Sequence, residues 1–405
     1  MSTTRREFLQ ITGLSFVSLG AAAPRLFAQA AEESALAAAN DKVLVVIELT
    51  GGNDGLNTVV PFENDLYYKN RRTLGLPKAN VHKLVDGVAL HPSLEPLAEL
   101  FKEGRLAVVQ GVGYPEPDRS HFRSMEIWHS ASIDKLAPAT GWLGRCVDQF
   151  PAKPGDDGLP GLAFTGSLPH ACQANKHVIP VVGELEAFAG AEQPEQKEIA
   201  LRRKLSTAEG EAKGAIKFLR SQSATVYRTV DRLKASAEKY KSTVEYPGTS
   251  LGGQLKRAAQ ILGGDLGVRV MYASQDGYDT HSNQLEQHAA LLADLSTSLA
   301  AFDKDLRGLG LADRVAVCAF SEFGRRVDEN ASSGTDHGAA SCLFVAGAKI
   351  RGGLYGAYPR LDKLGEGDLI FNTDFRSVYA TLLDKWLGCP AAKVLGGEFA
   401  ELQFV

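Results

Sequence analysis

The sequence predicts an α/β protein: a three-layer sandwich whose central sheet is mostly parallel, with a helical insertion. Three observations predict it. Five short apolar runs, at 42–49, 106–112, 268–273, 315–320 and 343–346, lack polar alternation, as strands covered on both faces do. Helical periodicity separates several of them. Polar clusters follow the runs directly, where open α/β sheets bind their ligands.

The chain begins with a segment of another kind. Arg5 and Arg6, then Phe8-Leu9, precede a weakly apolar run at 11–23 that contains Gly13, Ser15, Ser18 and Gly20. This order matches a twin-arginine export signal. The run is too short, at about 13 residues, to cross a bilayer roughly 30 Å thick. Ala28-Gln29-Ala30 offers a cleavage site. The sequence therefore predicts a signal peptide at 1–30, a flexible leader at 31–40, and one domain over 41–405 in a periplasmic or secreted protein.

Composition narrows the function classes. Lys and Arg total 44 against 48 Asp and Glu, a net charge of −4. With no basic stripe, nucleic acid is not an expected partner. No later run reaches the ~18 apolar residues of a membrane span. The five cysteines form no C-x-x-C pair, and Cys318 and Cys342 sit inside apolar runs. They read as buried free thiols, in keeping with folding in a reducing cytoplasm before export.

The clearest helix is at 282–306, where Leu285, Leu292, Leu295, Leu299, Phe302 and Leu306 share one face. Thr280 or Ser282 is placed to cap it. His288 points into the same stripe. About 185–250 reads as the insertion, with amphipathic surface helices rich in Lys, Arg, Glu, Ala and Gln.

Four polar clusters carry the candidate chemistry. Thr50–Thr58 holds Asp54 in a glycine-rich turn, where its carboxylate suits a divalent cation or simply shapes the turn. Asp118–Phe122 holds Ser120 and His121 at a helix start; Ser120 is either a cap or a nucleophile favoured by the helix dipole. Gly277–His281 supplies Asp279 and His281, a carboxylate and an imidazole. Ser321–Arg326 and Gly334–Gly338 add Glu322, Arg325, Asp336 and His337. Arg325 reads either as a clamp on an oxyanion or as part of a surface ion pair.

Together, ELTGGNDGLN (48–57), SHFRSMEIW (120–128), YDTH (278–281), SEFGRR (321–326), TDHG (335–338) and the segment 373–388 resemble a known family. It is the twin-arginine-exported group classed as domain of unknown function 1501, which looks like a distant branch of the alkaline phosphatase and sulfatase superfamily. The resemblance implies an alkaline phosphatase-like fold and a hydrolase of phosphate or sulfate esters that takes small anionic esters. It implies Ser120 as the nucleophile, which with His121 beside it and Arg325 makes up the expected catalytic set. Asp54, Asp279, His281, Glu322, Asp336 and His337 would be ligands for divalent Zn, Mn or Ca. Superfamily members typically hold two metals. Here Asp-Thr-His replaces an Asp-x-x-x-His pair, and Glu322 stands where Asp-His-Gly is usual, so one ion is expected. The resemblance also implies a helical partner encoded nearby, which favours the alternative of a non-catalytic assembly protein. A serine esterase is disfavoured, because neither an upstream Gly-Asp-Ser nor a Gly-x-Ser-x-Gly elbow occurs.

Overall fold

The structure is a computed structural model that describes residues 42–150, 159–182 and 231–405, apart from 233, 234, 237 and 265. The expected signal peptide, the leader and most of the expected insertion lie outside the described residues.

All five apolar runs form strands, and three shorter strands join them. In chain order these are β1 (Val43–Thr50), β2 (Leu106–Gly113), β3 (Gly161–Ala163), β4 (Val270–Asp276), β5 (Val315–Phe320), β6 (Ser341–Ala346), β7 (Gly353–Tyr355) and β8 (Thr373–Asp374). They build one sheet in the order β7-β2-β6-β5-β1-β4-β3, with β8 beside β2. Every pairing is parallel except those of β6, which runs antiparallel to both neighbours.

Helices cover both faces: α1 (Glu95–Lys102), α2 (His121–Ser130), α3 (Trp142–Val147), α4 (Ser250–Gly263), α5 (Gln284–Gly308), α6 (Phe375–Thr381) and α7 (Ala391–Leu395). Strand β1 shows how the layers arise. Its side chains alternate across the sheet. Val43, Val45, Ile47 and Leu49 enter the core under α1, α4 and α5. Leu44 and Val46 enter the opposite core under α2, α3, α6 and α7. The expected three-layer sandwich is what the chain forms.

Helix α5 departs from its expected stripe at one end. Leu292, Leu295, Leu299, Phe302 and Leu306 are buried, but Leu285 is 39% exposed. Neither Thr280 nor Ser282 caps the helix. Its N-cap is Asn283 in the left-handed region, and the Asn283 and Gln284 N–H groups donate to the carbonyls of Ser332 and Ser333. Backbone from a distant loop thus satisfies the donors a side-chain cap would take.

The direction of β6 decides where the polar clusters meet. The parallel strands β1, β2, β4 and β5 all end at one edge of the sheet. Because β6 is antiparallel to them, its beginning lies there, and Asp336-His337 immediately precede it. The four clusters, the last of them split between the end of β5 and the start of β6, share this edge.

Candidate metal centre

Two glycines open the site. Gly51 and Gly52 follow β1 with φ of +119° and +81°. A Cβ on Gly51 would lie 2.4 Å from the Asp279 nitrogen, and one on Gly52 would meet the Phe323 ring at 2.4 Å. Glycine is required here because the turn presses against the next loop. The turn aims two N–H groups at Glu322: Gly51 donates to Oε1 at 2.9 Å and Gly52 to Oε2 at 3.1 Å. The Ser321 hydroxyl donates to the same carboxylate at 2.9 Å. A buried carboxylate is tolerated when hydrogen bonds satisfy it in this way.

Glu322 in turn holds His121. Its Oε1 lies 2.9 Å from His121 Nδ1, and that contact raises the histidine's pKa above its usual value. Two further histidines are held alike. His281 Nδ1 lies 3.2 Å from Asp336 Oδ1, and His337 Nδ1 lies 2.9 Å from the Arg119 carbonyl oxygen. Carboxylates and carbonyls only accept, so each ring carries its hydrogen on Nδ1 when neutral and presents a lone pair on Nε2.

All three Nε2 atoms converge on Asp279. His337 Nε2 is 3.0 Å and His281 Nε2 3.1 Å from Asp279 Oδ1, and His121 Nε2 is 3.6 Å from Oδ2. The two nitrogens of His281 and His337 are 3.0 Å apart. Among the described residues, His121, Asp279 and His337 offer ligand atoms within 4.8 Å of one another. Lone pairs this close repel unless a cation or proton lies between them. Donors around a tetrahedral Zn²⁺ with bonds of about 2.0–2.1 Å stand roughly 3.3 Å apart. The donor set and spacing therefore fit a divalent ion. Burial opposes charge on Asp279, but the hydrogen bond and charge of Arg325 outweigh it and hold the pKa down at about 2. The carboxylate is ionised throughout the neutral range.

The remaining expected site residues have other surroundings. Asp336 orients His281 and also accepts from Asn330 at 3.2 Å. Ser120 is the exposed N-cap residue of α2, and its hydroxyl makes no capping bond. Arg325 is not turned toward a ligand. It is buried, donating to the carbonyls of Gly51, Gly52, Tyr278 and Thr335 and to Asp279 Oδ1 at 2.6 Å. The oxyanion clamp expected of it is not available, because its N–H groups bind the protein itself.

Asp54 differs most from expectation. Its carboxylate is fully buried and forms a two-pronged pair with Arg71. It accepts from the N–H groups of Leu56 and Asn57, capping the helical turn Gly55–Thr58, and from the Gln284 side chain. With both oxygens engaged, Asp54 organises the layer beneath the cluster and is no ligand of it. His288 belongs to this layer, with Nε2 2.9 Å from Asn53 Oδ1; burial lowers its pKa to about 4 and keeps it neutral.

Sequence reasoning missed one group. Glu48 leaves β1 on the α2 face, where it meets His129 Nε2 at 3.1 Å and the Tyr272 hydroxyl. A glutamate inside an otherwise apolar strand was the available signal. Glu48 and His129 line the same cavity as His121, Asp279 and Glu322, a space of about 660 Å³ with Phe122 at 92% exposure beside it.

Fold and site define a three-layer α/β protein with a histidine–carboxylate centre at the sheet's carboxyl edge. The chain belongs to the family described as protein of unknown function (DUF1501), which matches residues 41–387. No curated protein matches it by sequence. Among solved structures it is similar to a sulfatase from Pseudoalteromonas sp., at 11% identity and a TM-score of 0.42, over 92% of this chain and 74% of that one. It is similar to the lipoteichoic acid synthase LtaP of Listeria monocytogenes, at 10% identity and a TM-score of 0.41, over 90% and 76%. A protein in the alkaline phosphatase superfamily from Vibrio parahaemolyticus gives 11% identity and a TM-score of 0.41, over 88% and 69%. Similarities this distant assign no chemistry to the chain.

Proposed function

We propose that the protein is an exported, metal-dependent hydrolase of phosphate or sulfate esters. One observation carries this reading: three histidines whose Nδ1 atoms face acceptors turn their Nε2 lone pairs onto one carboxylate, as metal-binding histidines do. Asp279, His121, His281 and His337 hold the ion, which supplies Lewis acidity toward the ester oxygens. Zn²⁺ and Mn²⁺ suit this set better than Ca²⁺, which prefers oxygen. Glu322 and Asp336 fix the rings, and Arg325 positions Asp279.

Ser120 is the nucleophile in this reading. Its hydroxyl is exposed next to His121, at the positive end of the ten-residue helix α2, which favours a developing alkoxide. Wild-type protein loaded with Zn²⁺ or Mn²⁺ is expected to turn over an aryl phosphate or an aryl sulfate. Ser120→Ala should lower that rate at least ~100-fold with metal uptake unchanged, since removing a nucleophile removes transition-state bonding only. Absence of turnover on both ester classes by metal-loaded protein rejects the hydrolase. The reading of a non-catalytic assembly protein would then stand, favoured by the exposed side chains of Phe122 and Leu136 (92% and 88%).

The export route is a separate part of the proposal and rests on Arg5 and Arg6 ahead of the weak apolar run. Replacing both arginines by lysine is expected to leave precursor in the cytoplasm. An unchanged periplasmic yield rules the route out.

A further inference from the structure

Two of the buried cysteines lie face to face. Cys146, near the end of α3, and Cys389, just beyond the π-helical stretch Leu382–Leu387, are 243 positions apart in the chain. Their sulfurs are 2.9 Å apart. Unbonded carbon atoms, which are smaller than sulfur, rest at roughly 3.5–4.0 Å. The contact lies between that spacing and the ~2.05 Å of a disulfide. Local structure fixes both partners. Gly388, at φ +65°, turns the chain sharply, and the Cys389 N–H donates to the Leu383 carbonyl at 2.8 Å. Arg269 stands beside the pair, donating to the Leu387 carbonyl at 2.7 Å and stacking 4.1 Å from the Phe150 ring.

We infer that Cys146 and Cys389 are a redox modification site, joined as an intrachain disulfide that locks the C-terminal segment onto α3. The oxidant is of the disulfide class. The Cys146 thiolate attacks one oxidant sulfur, forming a mixed disulfide and releasing one thiolate. The Cys389 thiolate then attacks the Cys146 sulfur, forming the bridge and releasing the second. Two electrons and two protons pass to the oxidant, which leaves as two thiols.

Burial governs when this happens. It pushes the Cys146 thiol well above its ordinary pKa, against the favourable charge of Arg269. In the closed protein the pair is inert. Exchange requires the segment after Gly388, which carries α7 and the buried Phe404, to lift from α3. A reducing cytoplasm keeps both thiols, and an oxidising compartment joins them. The free-thiol reading of the sequence thus describes the protein before oxidation.

The full chain is purified with reductant and equilibrated with oxidised glutathione, one portion in buffer and one in mild denaturant so that the segment opens. Unfolding and alkylation should then label three of the five cysteines, and a proteolytic map should join the Cys146 peptide to the Cys389 peptide. Oxidised wild type should melt roughly 5 °C above its reduced form, because the bridge closes a long loop. The Cys146→Ser/Cys389→Ser chain should melt alike in both conditions. Five labelled cysteines in both portions, or a bridge between any other pair, overturns the inference. Identical melting of the bridged and reduced wild type overturns the lock.

Discussion

Asp279→Ala and His337→Ala are expected to take up no Zn²⁺, where the wild type is expected to take up about one ion per chain. Asp279 faces the Nε2 atoms of all three histidines, and His337 Nε2 lies 3.0 Å from both His281 Nε2 and Asp279 Oδ1. Losing either leaves too few donors for a closed site. An ion bound only by the native state adds its binding free energy to folding, about 2.7 kcal/mol at one hundred times its Kd. The wild type should therefore melt higher in excess Zn²⁺, and both variants should not respond. Glu322→Gln should weaken binding roughly 10–100-fold and keep the stoichiometry, because Glu322 orients His121 and holds the Gly51–Gly52 turn without itself being a donor to the ion. Protons compete for the same nitrogens. Since the Glu322 contact raises the proton affinity of His121, uptake should fall as pH drops, beginning at a higher pH than for an unperturbed histidine. The metal-free protein has the opposite dependence at His121: a raised folded pKa gives stability that is present at low pH and lost as pH rises through it. Calorimetry showing no heat of binding in the wild type, with all chains melting alike, removes the centre.

Asp54→Ala is expected to cost about 3–5 kcal/mol of stability, read from urea unfolding, because it strands the Arg71 guanidinium in the interior. Both side chains of the pair are wholly buried. Arg71 also donates to the carbonyls of Val327 at 2.6 Å and Arg326 at 2.7 Å, tying the chain before β2 to the loop between β5 and β6. Asp54→Asn should destabilise less and retain one metal ion. If that variant loses the ion at wild-type stability, Asp54 returns to the ligand set. Burial raises the Asp54 pKa, but Arg71 outweighs it and the net shift is downward from the usual 3.8. Its contribution is therefore complete above pH 3.8 and is lost as pH falls through the depressed native value.

These residues also show what the sequence could convey. Long buried strands were legible because uninterrupted Val, Leu and Ile leave few alternatives, and β5 was placed to the residue. Strands β3, β7 and β8, two or three residues each, are too short to carry a period. Strand direction leaves no trace in residue type, so the reversal of β6 was invisible although it delivers His337. Asp279, His281, Glu322 and His337 stood out because polar clusters follow apolar runs. Asp54 stood out for the same reason, and its role was misread because Arg71, 17 positions on, carries no mark of burial. The same gap hid the three Nδ1 acceptors, one of them a backbone carbonyl that no side-chain pattern encodes.

The reversed strand also bears on the order of events in folding. Glu322, Arg325, Asp336 and His337 all belong to the short excursion between β5 and β6, zipped at its base by Gly324–Ala339 and Gly338–Gly324 hydrogen bonds. Closing so short a loop costs little entropy, so this half of the centre can assemble early. Asp279, His281 and His121 arrive only when β1, β2 and β4 have found their places across long stretches of chain. An ion that needs both halves cannot nucleate the protein. It would act on the escape side of the barrier, slowing unfolding while leaving the folding rate nearly unchanged, which stopped-flow traces with and without Zn²⁺ would separate.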